Sequence, residues 1–158
     1  MKRLSKNRGF TLIEILVVIG IIALLATIVV IAINPARQFA QARNTQRISG
    51  ANSILNAIGQ YTADNKGILP TFLVKGAAPV EVGVDLCNEL VTTYLPSLPT
   101  DPTGSRKGES ITTCANAVAG AVIYTVVEDN NGRITIASPN TELTVSTPCT
   151  TDCISVTR

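Results

Sequence analysis

Apolar residues are concentrated in one segment near the N-terminus of the 158-residue chain. Residues 10–33 form an almost uninterrupted apolar run, broken only by Thr11, Glu14, Gly20 and Thr27. An apolar helix of about 20 residues is long enough to cross a bilayer, and a core helix of so small a chain would carry a polar stripe. This segment has no such stripe, so the pattern predicts a transmembrane helix over residues 10–33.

A cleaved secretory signal is the rival interpretation of this run. Its apolar region would be about 7–15 residues long and would end in a small-residue cleavage site. Here the run is longer and is followed by Asn34 and Pro35. We therefore interpret the segment as an anchor that stays with the protein.

A periodic segment follows the anchor. Its apolar residues recur at spacings of three and four: Ile48, Ala51, Ile54, Leu55, Ile58 and Tyr61. Asn34 suits an N-cap and Pro35 the first helical turn, and Gly67 favours a helix end. The pattern predicts an amphipathic helix over residues 34–66. It leaves open whether Pro35 bends one long helix or separates two.

Residues 67–158 are expected to form a globular head. Proline and glycine recur too often between residues 68 and 119 for long elements, although Asp85 to Tyr94 suits a short helix. Strands are predicted over residues 120–127 and 133–137 on either side of a turn at 129–132, with weaker candidates at 143–147 and 154–157. The predicted fold class is α+β, with a long N-terminal helix packed on a small antiparallel sheet.

Charge is distributed as unevenly as hydrophobicity. The formal net charge is +2, but four of the 13 basic residues lie in the first nine positions: Lys2, Arg3, Lys6 and Arg8. A basic leader keeps the N-terminus of an anchored protein in the cytoplasm, so everything after Ile33 is expected to be translocated. From Ile48 onward, 6 basic residues face 10 acidic ones. Nucleic-acid binding relies on clustered Lys and Arg, so this head is not expected to bind nucleic acid.

Glu14 is anomalous because it lies within the apolar run. An ionised carboxylate at the bilayer centre costs up to about 3 kcal/mol on insertion scales, although this near the end it could snorkel to the interface. No Lys, Arg or His lies between Phe10 and Ile33. We therefore expect the partner of Glu14 to be a chain terminus or another chain.

The residues around Glu14 form a motif. Residues 6–14 read KNRGFTLIE, with a basic leader that ends in Gly9 and an apolar helix that begins at Phe10. This resembles the N-terminal signal of type IV pilins and type II secretion pseudopilins. The resemblance is weaker in YTADNKGILP at residues 61–70 and LPSLPTDPTG at residues 95–104, which are similar to the end of the long helix and a loop in major pseudopilins.

The resemblance implies a pilin-like fold and a processing pathway. A prepilin peptidase would cleave between Gly9 and Phe10, removing the leader 1–9, and the new N-terminus of Phe10 would be N-methylated. Glu14 would neutralise that amine on a neighbouring subunit. The implied function is a structural subunit of an extracytoplasmic filament, made with copies of itself and related pilins from an assembly platform in the inner membrane. Pilus and pseudopilus remain open, as does a membrane-tethered adhesin that uses the same export signal.

All four cysteines lie beyond the apolar run, at positions 87, 114, 149 and 153. An even number of cysteines in an exported head favours disulfides, although four allow three connectivities. We predict the neighbouring pairs, Cys87 with Cys114 and Cys149 with Cys153. Zinc binding by the thiols is the alternative, and the absence of His disfavours it.

Neither a cofactor nor catalysis is expected. Major pseudopilins, which the chain resembles, have a calcium site in the loops of the sheet. The candidate acids here are Asp129 and Asp152, and the sequence lacks the spaced carboxylates that such a site requires. Without His, the usual general base is missing. The acids of the irregular region are expected on a solvated loop surface: Asp85, Glu89, Asp101 and Glu109.

Overall fold

The computed structural model describes residues 9–143 and 154–158. These form two compact units, one up to Gln38 and one from Phe39 onward. Helix α1 spans Leu12–Ile33 and belongs to the first unit. It begins two residues later than the apolar run because Thr11 has an extended backbone and caps the helix.

Helix α2 spans Pro35–Asp64. Asn34 separates it from α1, since its backbone is left-handed with φ 47° and ψ 82°. The Asn34 side chain accepts a hydrogen bond from the Arg37 N–H at 3.4 Å, as an N-cap does. The sequence left open whether Pro35 bends one helix or separates two. The structure shows two helices separated by one residue, Asn34, with Pro35 in the first turn of the second helix.

The head contains one short helix and one sheet. Helix α3 is Val84–Leu90, a single 3-10 turn covers Cys114–Asn116, and the strands are β1 Val80–Glu81, β2 Thr125–Glu128, β3 Ile134–Ser138 and β4 Ile154–Thr157. Each strand pairs antiparallel with the next, in the order β1-β2-β3-β4. The α+β fold class predicted from the sequence is confirmed.

Several boundaries differ from the predictions for local reasons. The strand expected from residue 120 starts only at Thr125, because Gly120 and Ile123 have positive φ angles of 76° and 65° that interrupt an extended chain. Helix α3 ends at Leu90 because Val91 is extended. Leu143 is also left-handed, with φ 66°, and lies in no strand. The other residues of the strand proposed at 143–147 lie outside the described residues.

One face of α2 packs into the core of the head. Ala51, Ile54 and Ile58 are completely or almost completely buried there, together with residues of α3 and of the sheet such as Leu90 and Ile136. Strand β3 alternates buried and half-buried side chains, as expected for a strand with one face on a core. The predicted apolar face is correct at its centre but not at Ile48, which is 44% exposed.

The expectation for Asp101 was wrong. Its side chain is completely buried and pairs with the equally buried Arg47, whose Nε lies 2.8 Å from the Asp101 carboxylate. Thr103 donates to the same carboxylate through its N–H and its hydroxyl, both at 2.7 Å, and Glu142 accepts from Arg47 Nη1 at 2.9 Å. A buried charge needs this kind of pairing. Asp101 can be inside because Arg47 of α2 supplies the opposite charge next to it.

Candidate processing and assembly site

The proposed cleavage junction lies outside the helix. Gly9 and Phe10 have no regular secondary structure, and both are exposed, Phe10 to 81%. The ordered helical hydrogen bonds start after them, since the first acceptor is the Thr11 carbonyl. The peptide bond between Gly9 and Phe10 is therefore free of helical hydrogen bonds, the form of chain that a protease must engage.

Glu14 and Thr11 form a capping box at the start of α1. The Thr11 hydroxyl accepts from the Glu14 N–H at 3.3 Å. In return, Glu14 Oε2 accepts from the Thr11 N–H and from its hydroxyl, each at 3.4 Å. These contacts satisfy N–H groups that the first helical turn leaves without partners.

This geometry corrects one expectation. Glu14 was expected to have no partner within its own segment, and Thr11 is such a partner. Only charged side chains were expected to serve as partners, whereas a capping box uses uncharged donors. The T-x-x-E spacing of residues 11–14 before an apolar run was the sequence signal for it. The contacts are long for hydrogen bonds, and Thr11 brings no positive charge.

The rest of α1 has the surface of a membrane helix. None of its 22 residues is buried, and it is the one helix in the described chain that is long and apolar enough to span a membrane. Thr27, a polar residue within it, donates its hydroxyl to the Ala23 carbonyl at 2.9 Å, so its proton is satisfied inside the helix. Apart from Glu14, no side chain of the described helix α1 therefore presents a polar hydrogen without a partner to the lipid.

All four cysteines belong to the head, and the structure describes two of them. Cys87 in α3 and Cys114 in the 3-10 turn form a disulfide, with their Cα atoms 5.4 Å apart. Cys149 and Cys153 lie outside the described residues, so their pairing remains a prediction that non-reducing peptide mapping decides. A peptide joining Cys87 to Cys153 would contradict both pairings.

The two acids considered for calcium differ in what the structure describes of them. Asp129 Oδ1 accepts from the N–H groups of Asn131 and Arg133, both at 2.8 Å, which fixes the turn between β2 and β3. These bonds hold the pKa of Asp129 below its usual value, the backbone bond from Arg133 contributing most. Asp152 lies outside the described residues.

Comparison with known proteins gives one match. Residues 4–30 match the family model of the prokaryotic N-terminal methylation motif, which covers residues 4–9 of the predicted leader, the proposed cleavage junction, Glu14 and most of α1. No curated protein and no solved structure matches the chain. The motif and the apolar helix fit a single-pass protein anchored in the inner membrane. The chain thus carries the prepilin-type signal of type IV pilins and pseudopilins, which supports a pilin-like exported protein.

Proposed function

We propose that the chain, after cleavage at Gly9, is a structural subunit of an extracytoplasmic helical filament, either a type IV pilus or a type II secretion pseudopilus. Its N-terminus would face the cytoplasm and its head the other side of the membrane. A prepilin peptidase and an inner-membrane assembly platform would be its processing and assembly partners.

The observation that carries this proposal is the pairing of an unburied apolar helix with an acid at its start. In the membrane, lipid covers α1. In a filament, copies of the same helix would have to cover it. Glu14 would then lie among apolar helices, where its charge needs an opposite charge rather than the weak neutral donors of Thr11.

Cleavage would create that opposite charge. The new α-amine of Phe10 has an ordinary pKa of about 8 and is positively charged at neutral pH. Within the described residues, both hydrogen bonds to the Glu14 carboxylate fall on Oε2, and a carboxylate has four lone-pair sites. Glu14 can therefore accept from the amine of a neighbouring copy without giving up its cap.

Exposed apolar residues on α2 support contacts beyond the membrane. Phe39 is 64% exposed and Ile48 is 44% exposed. Ile48 lies 15 residues after Ile33, the last residue of the apolar run, and so belongs to the part of the chain expected outside the lipid. A neighbouring subunit would cover such residues in a filament.

Two substitutions of Glu14 separate charge from capping. Glu14→Gln removes the charge but keeps a side chain that completes a capping box, whereas Glu14→Ala removes both. We expect both variants to insert and to be cleaved, and both to give few or no filaments in sheared fractions and electron micrographs. Thr27→Val is the matched control in the same helix, and it should assemble normally.

The result for Glu14→Gln decides the role of the charge. If Glu14→Gln forms normal filaments and Glu14→Ala forms few or none, then Glu14 acts only by capping the helix and its charge is not needed. Normal filaments from both would overturn its assembly role. If deletion of the gene leaves surface and periplasmic filaments unchanged, the chain is not a shaft subunit and the tethered-adhesin alternative gains.

A further inference from the structure

A polar cleft lies in the head between α2 and the loop that precedes strand β2. Its volume is about 140 Å³. Ser49, Gly50 and Ser53 line it from the helix, and Thr100 and Ser110 from the loop. All of these residues lie in the second compact unit, and the cleft opens to solvent past the exposed Ser49 and Ser110.

Tyr124 closes the cleft from the inside. Its side chain is completely buried, yet its hydroxyl has no hydrogen-bond partner among residues 9–143 and 154–158. It lies so close to Gly50 that a Cβ there would be 2.5 Å from the hydroxyl oxygen. A buried hydroxyl without a hydrogen-bond partner is unfavourable. A ligand that enters the cleft and accepts a hydrogen bond from Tyr124 would therefore be bound more tightly.

Two hydroxyl groups in the cleft wall already donate their protons to backbone carbonyls. Ser53 donates to the Ser49 carbonyl and Thr100 to the Glu109 carbonyl, both at 2.9 Å. Their hydroxyl oxygens therefore remain as acceptors. Burial, followed by the charge of Asp101, raises the pKa of Tyr124 to about 12, so the phenol stays protonated at neutral pH and is available as a donor.

The residues that line the cleft favour an uncharged ligand. Among the described residues that line the cleft none is charged, since the others are Gln46, Pro99 and Gly108. An ion would gain no counter-charge there, and an apolar group would leave the Tyr124 hydroxyl unsatisfied. One water needs about 10–15 Å³, so the cleft is roughly ten times larger than a single water requires. A ligand with several neighbouring hydroxyls fits these conditions, because each hydroxyl both donates and accepts.

We propose that this cleft binds a small uncharged polyol of the size of a monosaccharide, with the Tyr124 hydroxyl donating to one ligand oxygen and Ser53 and Thr100 accepting from ligand hydroxyls. The site is independent of Glu14 and of filament assembly. It would give the exported head a carbohydrate-contact site.

The test is a titration of the full chain with D-glucose, followed by amide NMR. The protein is kept in dodecylphosphocholine micelles, because a detergent with a sugar head group would occupy the site. We expect saturable shifts at Gly50, Ser53 and Tyr124. Tyr124→Phe should weaken binding about fivefold to tenfold, the value of one hydrogen bond, and Ser53→Ala should weaken it about threefold.

Tyr61→Phe is the matched control, because Tyr61 packs on Tyr94 elsewhere in the head. It should bind glucose as the unmodified protein does. Shifts that grow linearly without saturation, or that are equal in Tyr124→Phe, would overturn the proposal. So would cleft resonances that respond to the concentration of the protein itself and not to glucose, since a second copy of the chain would then occupy the cleft.

Discussion

Arg47→Met is expected to destabilise the head, and this destabilisation is expected to shrink as the pH falls. The substitution keeps the length and apolar stem of the side chain but removes the positive charge beside Asp101. Both side chains are fully buried in the native head. Removing one partner of a buried ion pair typically costs about 3–5 kcal/mol, because the other charge is left unpaired.

The magnitude at this site should lie near the lower limit. Asp101 would keep two hydrogen bonds from Thr103 at 2.7 Å and a longer one from Ser138 at 3.3 Å. We therefore expect a loss of about 3 kcal/mol at pH 7.5. For a head of this size that corresponds to a melting temperature lower by about 10 °C.

The pH dependence follows from the pKa of Asp101. Burial alone would raise this pKa, but hydrogen bonds from Arg47 and Thr103 outweigh it and hold the pKa below the ordinary value. In the native protein the pair therefore stabilises the head above about pH 4, and this stabilisation is lost as the pH falls through the lowered pKa. Without Arg47, we expect burial, the largest influence on this pKa, to outweigh the Thr103 bonds and to raise the pKa above its unfolded value. The variant should then gain stability relative to the native protein as the pH falls from 7.5 towards 4.

Thermal unfolding of the full chain in detergent measures both effects. Tyrosine fluorescence is the probe, since the chain has three Tyr and no Trp. Arg43→Met is the matched control, because Arg43 is 36% exposed and pairs with Glu142 near the surface. It should give a much smaller decrease. Adding Asp101→Asn to Arg47→Met should recover part of the loss, since it removes the unpaired charge.

Two results would refute this reasoning. The first is an unchanged melting temperature for Arg47→Met at pH 7.5. The second is a loss that stays the same or grows between pH 7.5 and pH 4, which would mean that the unpaired carboxylate is not the source of the destabilisation.

Three further predictions concern processing, the disulfide and the packing of α2. Intact-mass analysis of the membrane-extracted protein should show a chain that starts at methylated Phe10, and a mature chain that still carries residues 1–9 would contradict this. Replacing Cys87 and Cys114 by Ser should cost about 3 kcal/mol in chemical unfolding, because the bond closes a loop with a sequence separation of 27 residues; equal stability with and without reductant would contradict it. Gly50→Ala should lower the melting temperature, and should do so less when Tyr124 is also Phe, since the new Cβ would lie 2.5 Å from the Tyr124 hydroxyl but 3.0 Å from the ring carbon Cζ that Phe keeps. Equal losses in both backgrounds would show that the hydroxyl is not the main obstacle.

The features that could be predicted from the sequence are those that local pattern determines. Helix α1 is apolar on all sides, so its type follows from composition alone. Strand β4 begins and ends at the predicted residues, Ile154 and Thr157. Strand β1 was missed because it has two residues, too few to show any alternation.

The features that were missed depend on residues distant in sequence. Arg47 is charged and was not expected in the core, and it is there because Asp101 approaches it from 54 positions away. The spacing of apolar residues within α2 cannot predict a partner that lies in another part of the chain. The close approach of Tyr124 to Gly50 is of the same kind, since the glycine matters only through the side chain that packs on it.

The uniformly apolar surface of α1 constrains the route by which the chain could join a filament. Lipid tails are as apolar as the side chains of the helix, so transfer from bilayer to helix bundle yields no hydrophobic free energy. Passage through water is different, because exposing a Val, Leu or Ile side chain costs about 1.5–3 kcal/mol. For a 22-residue helix with no buried position this barrier amounts to tens of kcal/mol. If the chain forms the proposed filament, that filament would have to grow at its membrane-embedded end, by direct exchange of lipid for protein around each helix, and subunits released into water would not re-enter it.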